Sequence, residues 1–161
     1  MTIRVIHYTS ANRFETMRTF STSREIPATV EEVFAAFSDP ERLAIWWGPD
    51  GFTNTFHIFE FETGGTWSYT MHSPHGGSPA NESIFELVDP LRKVVIRHTS
   101  QPLYRLTIEF TPSDVGTTVS WSQDFDDAEV AARIEKIVVP ANEQNLDRLK
   151  AEVLGEGANS Q

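Results

Sequence analysis

Between residues 27 and 38 the apolar positions repeat with a helical period. Val30, Val33, Phe34 and Phe37 fall at i, i+3, i+4 and i+7 and form one face. Thr29 and Glu32 have the N-cap to N3 spacing of a capping box, which predicts the helix start just after Pro27. Ser38-Asp39-Pro40 breaks this helix and opens another. Asp39 can cap it, and Pro40 suits its first position. The second helix, 40–47, stops at Gly48-Pro49, so Trp46 and Trp47 sit in its last turn. Neighbours on a helix point about 100° apart, so one stripe does not need both rings. The expectation is that one ring packs inward. The other covers the seam where the GPDG turn feeds the next strand.

Outside these helices the period shortens. Residues 17–26 read as a first strand anchored by Phe20, and residues 52–124 read as six more. In TWSYTMH, Trp67, Tyr69 and Met71 face one way and Thr66, Ser68, Thr70 and His72 the other. Strands follow at 82–88, 93–99, 103–110 and 117–125, separated by Asp-Pro, Gln-Pro and Ser-Asp-Val-Gly turns. Short links between sequential strands predict an antiparallel meander. A last helix is predicted from Asp126-Asp127, with Glu129 at N3, to Val153. Val130, Ile134, Ile137, Val138, Ala141, Leu146 and Leu149 give its apolar stripe, and Pro140 predicts a kink or break. Residues 1–17 read as an N-terminal extension, 18–153 as one domain and 154–161 as a tail. The fold class is α+β: a curved antiparallel sheet of about seven strands wrapped around a long C-terminal helix. Such a wrap can leave a cavity between sheet and helix.

Composition removes several function classes. The chain has 161 residues and a formal net charge of −10, which argues against nucleic-acid or anionic-membrane partners. It contains no cysteine, which excludes disulfides, thiol catalysis and Cys-ligated metals. No segment reads as a signal peptide or a bilayer span, so the expected location is cytoplasmic. His7, His57, His72, His75 and His98 show no metal-ligand spacing. No paired acids, nucleophile motif, phosphate loop or dinucleotide fingerprint is present, so no catalytic residue, metal or cofactor is assigned.

The runs REIPATVEEVFAAFSDPERLAIWWGPDGFTNTF, FETGGTWSYTMHSPHG and EQNLDRLKAEV resemble the activators of the heat-shock-protein-90 ATPase. They resemble its bacterial single-domain branch within the START-like, birch-pollen-allergen-like (SRPBCC) superfamily, over about residues 18–153. The resemblance implies a helix-grip fold with a pocket between the sheet and the last helix. It names a fold and a family rather than a reaction. Many such sequences read MHGPDG where this one has Met71-His72-Ser73-Pro74-His75-Gly76, so His75 stands where an acid is common.

Parity of the strands brings Trp67, Tyr69, Met71, Val94, Ile96, His98, Tyr104, Leu106, Ile108, Val119, Trp121 and Gln123 to one concave face. Adding Trp47, Ile137 and Ala141 from the helices gives the candidate ligand-binding set Trp47, Trp67, Tyr69, Met71, Ile96, His98, Tyr104, Leu106, Trp121, Gln123, Ile137 and Ala141. Most of this set is apolar, with a few polar tips, as in sites for small hydrophobic or aromatic molecules. A filled core with those tips bonded to backbone or water is the competing reading. Three functions follow. The first is a small-molecule binder. The second is a surface partner of a heat-shock-protein-90 homologue. The third is a cyclase- or hydrolase-type enzyme using His98 or Tyr104. Either a monomer or a homodimer fits the sequence.

Overall fold

The computed structural model describes residues 18–156. The expected extension, 1–17, and residues 157–161 of the expected tail lie outside them. Seven strands, β1 (Thr19–Ile26), β2 (Thr53–Phe59), β3 (Thr66–His72), β4 (Ala80–Asp89), β5 (Lys93–His98), β6 (Tyr104–Pro112) and β7 (Thr117–Phe125), form one sheet. Its order is β1-β7-β6-β5-β4-β3-β2, and every neighbouring pair is antiparallel. Helices α1 (Val30–Ser38) and α2 (Pro40–Trp46) follow β1, and α3 (Ala128–Leu154) closes the chain. This is the helix-grip arrangement expected from the sequence.

The local signals act as read. The Thr29–Glu32 capping box is closed in both directions, and Asp39 caps α2 ahead of Pro40. The α3 cap shifts by one residue. Asp127 is the N-cap and takes the N–H groups of Glu129 and Val130, so Glu129 stands at N2 rather than N3. The second glycine of the GGTW run has a packing role. A Cβ at Gly65 would lie 2.0 Å from the Glu60 carbonyl oxygen, so only glycine lets β3 leave the turn there.

Pro140 does not break α3, which runs unbroken to Leu154. At 3.6 residues per turn Pro140 falls about 180° from the buried line of Ala131 and Leu149. It is exposed there, so water can serve the carbonyl that loses its partner. The same geometry corrects the expected stripe. Ile137 lies about 120° from that line, and it is 70% exposed.

Two packed clusters hold helix to sheet. The larger joins Val33, Phe34 and Phe37 of α1, Leu43 and Trp46 of α2, and Leu146 and Leu149 of α3 to the concave face of the sheet. The smaller joins Phe20, Phe125 and Ala131, with Tyr104, Ile134 and Val138 against them. The N-terminal half of α3 therefore rests on one end of the sheet and its C-terminal half on the middle.

Candidate functional site

The WWGPDG turn is held by the last helix. The C-terminal carbonyls of α2 have no partner within the helix. Arg148 supplies one. Its guanidinium donates to the carbonyls of Ile45 (2.6 Å), Gly48 (2.8 Å), Pro49 (2.6 Å) and Phe52 (2.9 Å). One turn earlier on α3, Asn145 Oδ1 accepts from Gly48 N and Gln144 Oε1 from Asp50 N, each at 3.1 Å. From the other side Asn54 donates to the carbonyls of Ala44 and Trp47. Gly48 needs its positive φ of 99°, and a Cβ there would meet Met71 Cε at 2.8 Å.

This clamp aims Trp47 into the sheet. Both tryptophans are buried, so neither covers the seam as expected. Trp46 packs on Phe37, and its indole N–H donates to the Ala36 carbonyl at 2.9 Å. Trp47 lies between Trp67 and Trp121, at centroid distances of 5.0 and 5.8 Å, and donates to the Tyr69 hydroxyl at 3.2 Å. Burial pushes the Tyr69 phenol well above its ordinary pKa, against the lowering pull of the Trp47 N–H.

The sheet register aligns the candidate residues in rows. Trp67, Ser83, His98, Tyr104 and Phe125 are consecutive cross-strand partners. Phe85, Ile96, Leu106 and Gln123 form the next row, which ends at Phe20. The middle of this face is filled. Trp67, Tyr69, Ile96, Leu106 and Trp121 are at most 3% exposed. Gln123 is also buried, and its side-chain oxygen accepts from Asn142 of α3 at 3.0 Å. Met71, Tyr104 and Ala141 are only partly buried although the first two share the inner face of the sheet. Tyr104 packs beside Ile134 and Val138 on the first half of α3, Met71 lies against Gly48 of the WWGPDG turn, and Ala141 is at the middle of α3. Ile137 stands outside this group, on the solvent side of α3.

His98 is buried and stacked on Tyr104, with centroids 4.5 Å apart. Its Nδ1 donates to the Pro102 carbonyl at 2.8 Å, and its Nε2 is 2.8 Å from the Asn81 side-chain amide. Burial lowers its pKa below the ordinary histidine value, so the ring is held neutral. Burial raises the Tyr104 phenol well above its ordinary value. His72 and His57 sit on the outer face and bond to Thr55 and Thr70. Pro74, beside His75, packs against the GPDG turn, where a Cβ at Gly51 would meet it at 2.9 Å.

Four buried polar atoms on this side of the sheet have no hydrogen bond among the described residues: Trp67 Nε1, Trp121 Nε1, Ser83 Oγ and, opposite Met71, Asn54 Oδ1. Ser83, Asn142, Asn145 and Arg148 were missing from the sequence-based set. Ser83 was readable from alternation along β4, where it stands between the exposed Glu82 and Ile84 and two residues before the buried Phe85. The helix trio carries no such signal, because Asn145 and Arg148 bond backbone groups, and Asn142 the Gln123 side chain, all distant in sequence. Among the described residues no group of three or more His, Cys, Asp or Glu could hold a metal ion, and no helix is long and apolar enough to cross a membrane.

Known structures share this architecture. A protein from Nitrosomonas europaea superposes with a TM-score of 0.78 at 18% identity, covering 88% of this chain and 97% of its own. The AHSA1-like protein from Aeromonas hydrophila gives 0.69 at 20% identity, covering 86% and 94%. The AHSA1 protein from Silicibacter pomeroyi gives 0.69 at 22% identity, covering 86% and 99%. At these identities the likeness is one of fold. No curated protein matches the chain in sequence. The model of the family described as Activator of Hsp90 ATPase homolog 1-like protein matches residues 27–153. With most of its length inside that match, this chain belongs to the Activator of Hsp90 ATPase homolog 1-like family.

Proposed function

We propose that the protein binds a small, mainly apolar molecule between the inner face of the sheet and α3. The supporting observation is the pair of unpartnered indole N–H groups on that face, Trp67 Nε1 and Trp121 Nε1. A core built for packing alone pairs such groups or dispenses with them, because each unmade bond costs about 1–3 kcal/mol. The partly buried Tyr104, packed beside Ile134 and Val138, favours the end of the grip under the first half of α3 for the occupant. The filled aromatic centre forms the floor of this site, with Trp47, Trp67 and Trp121 beneath the ligand rather than around it. Binding and not turnover is the role proposed, since neither His98 nor Tyr104 has a carboxylate partner to complete an acid–base pair.

Native mass spectrometry of the purified protein, compared with the denatured sample, tests this. The expected result is a mass excess that vanishes on denaturation. A clean mass in the native state, with no shift in the four indole N–H resonances on screening small aromatics, overturns the reading. It would move attention to a protein partner such as a heat-shock-protein-90 homologue.

A further inference from the structure

The inner face carries almost no charge. Its inward positions run Phe20, Thr22, Arg24 and Ile26 on β1, then Trp67, Tyr69 and Met71 on β3, and Asn81, Ser83 and Phe85 on β4. They continue with Val94, Ile96 and His98 on β5, Tyr104, Leu106, Ile108 and Phe110 on β6, and Thr117 to Phe125 by alternation on β7. Arg24 is the single ionic side chain among them, and it is taken by Glu143 and Asp147 of α3. On α3, Arg148 is spent on the carbonyls of the WWGPDG turn, and Arg133 and Lys136 of its first half are exposed. An ionised ligand would find no counter-charge here, and an unpaired charge in a water-poor site is costly.

The free polar capacity away from the WWGPDG turn is that of donors and one hydroxyl, Ser83 Oγ; the free acceptor, Asn54 Oδ1, lies at that turn. The indoles of Trp67 and Trp121 can only donate. The Tyr104 hydroxyl has no hydrogen bond to any described residue and stands at the partly open end, its ring fixed between His98 and Phe125. Burial keeps both inner tyrosines in the protonated, donating form.

From this we infer that the ligand is an uncharged molecule with an apolar ring body and a carbonyl- or ether-type oxygen, which takes the Tyr104 hydroxyl as its donor. The inference rests on the ligand-binding reading above and names the ligand class for that site. Carboxylates such as free fatty acids, and phosphorylated molecules, are excluded by the same absence of counter-charge.

Three probes of one shape separate the possibilities: 2-acetylnaphthalene, 2-naphthoate and 2-ethylnaphthalene. Each is titrated into the full chain by calorimetry and followed in the four indole N–H resonances. Trp46 is the internal control, since its N–H is committed to Ala36 outside the site. The ketone should bind about tenfold or more tightly than the carboxylate, and about three- to tenfold more tightly than the ethyl compound. The Trp67 and Trp121 signals should move while Trp46 stays. Tyr104→Phe removes a hydroxyl with no described partner, so the fold is kept. It should abolish the preference for the ketone and leave the ethyl compound's affinity unchanged. Binding of 2-naphthoate at equal or greater strength overturns the ligand class but leaves the site standing. A ketone preference that survives Tyr104→Phe overturns the donor. Failure of all three probes to move Trp67 or Trp121 overturns the site and the ligand class together.

Discussion

His98 shows how one residue ties fold stability to pH. Its ring is buried, stacked and bonded at both nitrogens, and its pKa in the fold lies below the ordinary value of about 6.5. As pH falls, the unfolded chain takes up this proton before the folded one does. His98 therefore favours the fold fully above about pH 6.5 and progressively less below it. Thermal melts at pH 7 and pH 5 should show a loss of stability on acidification that is smaller in His98→Gln, although the variant is less stable at pH 7. An equal loss in both proteins would show that His98 carries none of it. Glu86 and Asp126, held low by hydrogen bonds from Arg105 and Arg97, lose their contribution only at lower pH, as it falls through their depressed pKa values.

At the scale of the element, α3 does two jobs in its C-terminal half. Leu146 and Leu149 pack on the sheet, while Gln144, Asn145 and Arg148 hold the WWGPDG turn. Arg148→Met keeps the length of the side chain and removes all its donors. Several backbone carbonyls would lose their partner, at a cost of about 3 kcal/mol or more. Urea unfolding followed by tryptophan emission would measure it, and a change under about 0.5 kcal/mol would show that water replaces the guanidinium without penalty. The helices and strands themselves were legible in the sequence, because capping boxes, Pro40 and the period-two runs are local signals. Inner-face parity was equally legible, since it propagates along each strand from one correct residue. The clamp was not, because it joins residues about a hundred positions apart through main-chain atoms that carry no side-chain signature. The orientation of Ile137 was misread for a simpler reason. An apolar residue within a helix was assigned to the buried stripe without following the angle from Ala131 to Leu149.

For the whole molecule, the sheet order places the first strand beside the last. Thr19 bonds to Asp124, and the full length of β1 is registered against β7. The meander from β2 to β6 can zip up between neighbours, but β1 has to wait for a strand about a hundred residues later. Such distant pairings are slow to close, so refolding should take milliseconds to seconds rather than microseconds. Stopped-flow emission from the buried tryptophans would time it, and a microsecond phase carrying the whole signal would contradict it. During synthesis on the ribosome, the opening strand then stays unpaired until β7 has emerged. Throughout that interval the nascent chain carries an open, uncharged TFSTS edge that no strand of its own yet pairs, a segment exposed to pairing with other chains.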